Sequence, residues 1–124
     1  MKSKVSSLVI AAMLLALSVK VYAHHAAAPI FHQDRDVEVK GVVKSWHFTN
    51  PHPLLLIEAT DEKGQKVDWG MHFPAATSLA KRGWSANTFK AGELVVLKGH
   101  PSKAPGTHGI EAGTVTREDG RPVP

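Results

Sequence analysis

The chain has 124 residues, with 15 Lys and Arg, 11 Asp and Glu, 8 His and no Cys, which is enough for one domain at most. Lys2, Lys4 and Lys20 lie in an acid-free leader-like segment, and without these three the rest carries 12 basic against 11 acidic side chains, excluding a strongly cationic nucleic-acid binder. The lack of Cys excludes a disulfide scaffold, a thiolate zinc site and a Cys nucleophile, and 43% hydrophobic with 21% charged residues excludes bulk disorder.

Residues 1–23 read as a secretory signal peptide. Lys2 and Lys4 supply positive charge, and the apolar run from Val5 to Val19 is too short to span a bilayer comfortably. Val21 and Ala23 fit the −3 and −1 positions of a cleavage site. The expectation is a periplasmic or secreted protein with no membrane span after cleavage. Processing after Ala23 makes His24 the first residue, with His25 next, whereas a competing site after Ala28 removes both.

Residues 24–36 show no strand or helix period and read as an extended N-terminal arm. The domain follows over 37–124. Val37 to Trp46 is predicted as strand one, with Gly41 at a bulge. Leu54 to Thr60 is strand two and Lys66 to Phe73 strand three. The loop Glu62-Lys63-Gly64 between them fits a type I turn closed by a left-handed glycine. Asp61 then faces Gln65, Glu58 faces Asp68, Leu56 faces Gly70, Leu54 faces His72, and His52 faces Pro74. Leu55, Ile57, Ala59, Val67, Trp69 and Met71 share the core face.

Ala75 to Arg82 is predicted as a short helix closed by Gly83, and Ser85 to Lys90 as a turn. Gly92 to Gly99 is strand four, 100–109 a Pro/Gly loop, and Ile110 to Arg117 strand five. Five strands with one short helix between strands three and four is the order of an OB-like barrel. Closure suits so small a chain because it removes exposed strand edges. The loops near 48–53 and 100–109 then share the usual ligand-binding pole.

Several motifs stand in a suggestive order: His24-His25 after the signal site, Asn50-Pro51-His52, Trp69, Arg82-Gly83-Trp84, Lys90-Ala91-Gly92 and Asp119-Gly120-Arg121. Together they resemble a family of small exported bacterial proteins of unknown function. The resemblance implies a small β-barrel and export, and no activity. Similar proteins often have Ser where this chain has Ala26, and Glu where it has His72.

The histidines carry the candidate chemistry. A mature N-terminal His24 chelates through its α-amine and ring Nδ1, and another imidazole completes a T of nitrogens, the histidine brace of copper proteins. Nitrogen-rich tetragonal coordination suits Cu(II). The free amine has a pKa of about 7.7–8.0, so a metal competes with the proton near neutral pH. His52 and His72 are diagonal neighbours on the outer hairpin face, at roughly 7–8 Å. The arm reaches them at up to ~3.3 Å per residue. A metal site of His24, His25, His52 and His72 holding a copper ion is the expectation, for metal carriage or protection in the envelope. The alternative is a metal-free binding module in which Trp46, Leu54 and Leu56 form an outer patch for an envelope protein or small ligand. Glu58 opposite Asp68 needs a neutralising Lys40 or Lys44. No phosphate loop, dinucleotide fingerprint, zincin motif or nucleophile elbow occurs, so an enzyme is the least favoured class.

Overall fold

The structure is a computed structural model describing residues 30–124. The signal segment, His24, His25 and the rest of the arm up to residue 29 lie outside the described residues. The elements are β1 (Val37–His47), β2 (Leu54–Thr60), β3 (Lys66–His72), α1 (Ala76–Ala80), β4 (Leu94–Pro101) and β5 (Gly109–Arg117). The strands close into a barrel in the order β1-β2-β3-β5-β4, with β4 pairing back onto β1. The protein is thus mainly β, a closed five-stranded barrel with one short helix between β3 and β4. Among the described residues no helix is long and apolar enough to cross a membrane.

The β2–β3 hairpin has the register that its turn chemistry dictates. Gly64 is left-handed at φ 77°. The Asp61 side chain accepts from the Lys63 and Gln65 N–H groups at 2.9 and 2.8 Å. This fixes the turn locally, and Leu54 pairs with His72, Leu56 with Gly70 and Glu58 with Asp68. The facing carboxylates are held apart in charge by Lys44 on Asp68 at 2.7 Å and Lys66 on Glu58 at 2.7 Å. Lys40 instead pairs with Glu118.

The predicted bulge at Gly41 is not there. Gly41 pairs regularly with Ala59 on one side and Val95 on the other. Its place is a close approach, because a Cβ would lie 2.5 Å from the Glu58 oxygen. The irregularity falls instead between Val43 and Ser45. One extra residue there reverses the alternation of the strand. Val43 and Trp46 therefore both pair with core-side residues, Ile57 and Leu55.

Helix α1 is a single turn over the end of the barrel and buries Ala76 and Leu79. Gly83, at φ 90°, ends the segment. Its N–H reaches the Ala80 carbonyl at 3.0 Å, and the Trp84 N–H reaches the Leu79 carbonyl at 3.1 Å, the paired bonds of a Schellman turn. That turn drops Trp84, 8% exposed, onto the core. Leu55, Ile57, Met71, Leu97 and Ile110 fill the barrel and are fully buried. Each such side chain contributes about 1.5–3 kcal/mol by leaving water.

Candidate metal centre

The hairpin ladder runs one step past β2 and β3, because the Phe73 N–H donates to the Pro53 carbonyl at 3.1 Å. His52 enters just before that step and His72 ends β3 on the outer face. The His52 Nδ1 lies 3.1 Å from the Phe73 carbonyl oxygen. A carbonyl only accepts, so in the neutral ring Nδ1 carries the proton and Nε2 the lone pair. This is the second bond that typically orients a metal-binding imidazole.

His52 and His72 line one cavity of about 380 Å³ together with Phe73, Pro74 and Glu111. Glu111 comes from β5. The parallel pairing of Gly70 with Gly109 and Met71 with Ile110 draws the starts of β5 and the end of β3 together. Ile110 is fully buried, so its neighbour Glu111 projects to the outer face beside His72. Sequence reasoning passed over Glu111. Strand parity marks it as outward-facing, but only the long-range β3–β5 pairing sets it next to the hairpin. No group of three or more His, Asp or Glu side chains that could hold a metal ion is present among the described residues. His52, His72 and Glu111 therefore do not make a closed site by themselves.

The described end of the arm is anchored beside the start of β5. Phe31 bridges to Ser102, the His32 N–H donates to the Pro101 carbonyl at 2.9 Å, and the Lys103 N–H donates to the Ile30 carbonyl at 2.8 Å. A Cβ on Gly109 would meet the Phe31 ring at 3.5 Å, so Phe31 covers the outer face two residues before Glu111. His24 and His25 lie outside the described residues, and their relation to His52 and His72 is not part of this geometry.

The other histidines have different surroundings. His100 belongs to β4 and pairs with Glu111 across the ladder. Its Nδ1 lies 3.2 Å from the Arg35 carbonyl and 3.1 Å from an Asp36 oxygen, tying the arm to the barrel. His32 sits 3.4 Å from Asp34. His108 stands edge-on to Trp69, with centroids 5.0 Å apart.

The expected patch of Trp46, Leu54 and Leu56 is divided between the two faces. Leu54 and Leu56 are half-buried on the outer face. Trp46 is half-buried on the core side and packs against Phe48, Phe73, Trp84 and Phe89, with centroids 5.3–6.0 Å apart. Its Nε1–H donates to the Ser85 carbonyl at 2.8 Å. The bulge after Val43 is the physical reason, since it turns Trp46 inward.

On the charged surface, the hydrogen bond that the Lys44 ammonium donates to Asp68 holds Lys44 above its ordinary pKa. Bonds from the Arg121 backbone and side chain hold Asp119 below the usual carboxylate value.

Residues 11–112 match the profile of a family of unknown function, DUF6152. No curated protein and no solved structure matches the chain.

Proposed function

Since the chain belongs to the DUF6152 family, whose function is unknown, we propose from its own residues that it is an exported protein that binds copper, or a similar divalent ion, at the outer face of the β2–β3 hairpin. The ligands are the amine and ring of a mature N-terminal His24 with the imidazoles of His52 and His72. His25 lies next to the chelating residue. The role is carriage or sequestration of the ion in the cell envelope.

One observation carries this reading: two imidazoles line one cavity, and a carbonyl bonded to Nδ1 of one of them leaves Nε2 as the metal-binding atom of the neutral ring. The set is incomplete among the described residues, and the reading assigns the missing nitrogens to the N-terminal segment. Phe31 is held beside the start of β5. The seven residues from there back to His24 span up to ~23 Å at ~3.3 Å each. Gly109, beneath Phe31, is only two residues from Glu111, roughly 7 Å along the strand. The reach is ample. Nitrogen donors in a tetragonal set favour Cu(II) over the other divalent ions.

The test is a copper titration followed by electron spin resonance on protein whose N-terminus has been established by intact mass. Nitrogen hyperfine structure is expected to lose a component in His52→Ala and in His72→Ala. Acetylation of the His24 amine is expected to abolish tight binding, because it removes one nitrogen of the chelate ring. Full affinity with the acetylated amine, or an unchanged spectrum in His52→Ala, would refute the assignment. Protein that begins at Pro29 would refute it outright.

A further inference from the structure

A second cavity, of about 300 Å³, lies between β3, the α1 turn, β5 and the C-terminal tail. It meets the first at the shared wall of His72, Phe73 and Pro74. Its apolar side is made by Leu79, Trp84 and Val115. Its polar side includes Arg82.

Trp84 is the anomaly. It is 8% exposed, and its Nε1 is the buried side-chain polar atom found without a hydrogen-bond partner among the described residues. Burying a donor without an acceptor forfeits its hydration with nothing in return. The contrast with Trp46 is informative, because that indole in the same aromatic cluster has its carbonyl at 2.8 Å. Arg82 adds a second unmatched donor group, an exposed guanidinium with no ion pair among the described residues. A guanidinium presents a planar fork that fits a carboxylate with two parallel bonds.

We infer that this cavity is a binding site for a small organic monocarboxylate with an apolar body. The body lies against Leu79, Trp84 and Val115. One carboxylate oxygen accepts from the Trp84 indole N–H, and the charge is met by Arg82. Because the nitrogen is sealed from solvent, the oxygen reaches it only when its cover parts. Val123 and Pro124 line the cavity outside every strand, and the inference assigns the required movement to them. Small-molecule sites commonly have this form, a mostly apolar concavity with a few placed polar groups. His72 borders both cavities, but this site requires no ion.

The experiment uses the protein in the presence of a chelator, so that failure of copper binding has no bearing on it. Benzoate, benzamide and inorganic phosphate are titrated in turn while the indole N–H resonances are followed by nitrogen–proton correlation spectra. Trp84→Phe assigns the Trp84 signal by its disappearance. Benzoate is expected to shift that signal saturably and downfield, together with the Val123 amide. Benzamide and phosphate are expected to bind at least tenfold more weakly, the first lacking charge and the second lacking the apolar body. Arg82→Gln, an exposed substitution that leaves the core alone, is expected to weaken benzoate at least tenfold. A Trp84 signal that stays upfield, as for an N–H over an aromatic face, and does not move with benzoate would overturn the proposal. So would equal affinity for benzamide, or unchanged benzoate affinity in Arg82→Gln.

Discussion

Replacing Gly113 by Ala adds one methyl group at the tightest point of the barrel. A Cβ there would lie 2.0 Å from the Lys98 carbonyl oxygen, 2.9 Å from the Lys98 carbonyl carbon and 2.5 Å from the Met71 terminal methyl. The Met71 tip can swing away, but the Lys98 carbonyl belongs to the β4–β5 ladder and cannot. Ordinary contact to carbon is about 3.5 Å, so the strands must part by roughly 1 Å or more. Ladder bonds near 2.9 Å do not survive such a shift. Losing about two of them costs about 1–3 kcal/mol, and the strain of overpacking adds about 1–3 kcal/mol. The sum is about 2–6 kcal/mol. For a domain of this size, each kcal/mol lowers the melting temperature by about 4–8 °C, so a fall of at least about 8 °C is expected. The assay is a far-ultraviolet circular dichroism melt with urea unfolding alongside. Gly64→Ala is the comparison, because Gly64 has φ 77° and nothing within 4 Å of a Cβ. Its cost is conformational alone, about 1 kcal/mol. A Gly113→Ala protein that melts within about 2 °C of the parent, or that loses no more than Gly64→Ala, would refute the reasoning.

Leu97 is fully buried in the barrel, and Leu97→Ala is expected to cost about 2–5 kcal/mol, read as a lower urea midpoint with little change in slope. Trp46→Phe removes the bond to the Ser85 carbonyl while keeping an aromatic ring, so a loss of about 1 kcal/mol is expected from the same titration. The carboxyl of Asp119 is held below its ordinary value of 3.8 by the Arg121 backbone and side chain. Its contribution to the tail turn is therefore full above pH 3.8 and fades as the pH falls through the lower folded value. The Arg121 amide shift should titrate below 3.8, and a midpoint above 3.8 would contradict the bond. Lys44 is shifted the other way by Asp68, above 10.5, so its tie persists at neutral pH and is lost only as the pH rises through the raised value. A Lys44 titration at or below 10.5 would contradict it.

How much of this was legible in the sequence depended on whether the cause was local. The hairpin register followed from five residues, Asp61 to Gln65, because an aspartate and a left-handed glycine determine the turn by themselves. The helix end at Gly83 was readable for the same reason. Glycine alone did not locate the bulge. Gly41 is demanded by the close approach of β2 at Glu58 and Ile57, while the real irregularity beside Lys44 and Ser45 carries no glycine. That misplacement put Trp46 on the wrong face. For the candidate metal centre, His52 and His72 were legible as a pair because both belong to the hairpin. Glu111 was not, because its position beside them rests on the two-pair parallel contact of β3 with β5, a juxtaposition with no local signature. Trp84 was readable as packing, but its unmatched donor appears only when its neighbours are known.

The bridge from Phe31 to Ser102 holds the chain at one point beside the start of β5. Covalent geometry limits any group seven residues away to within ~23 Å of that point. Under the proposed function, a donor at position 24 therefore has an effective concentration in the millimolar range at the outer face, however dilute the protein itself becomes.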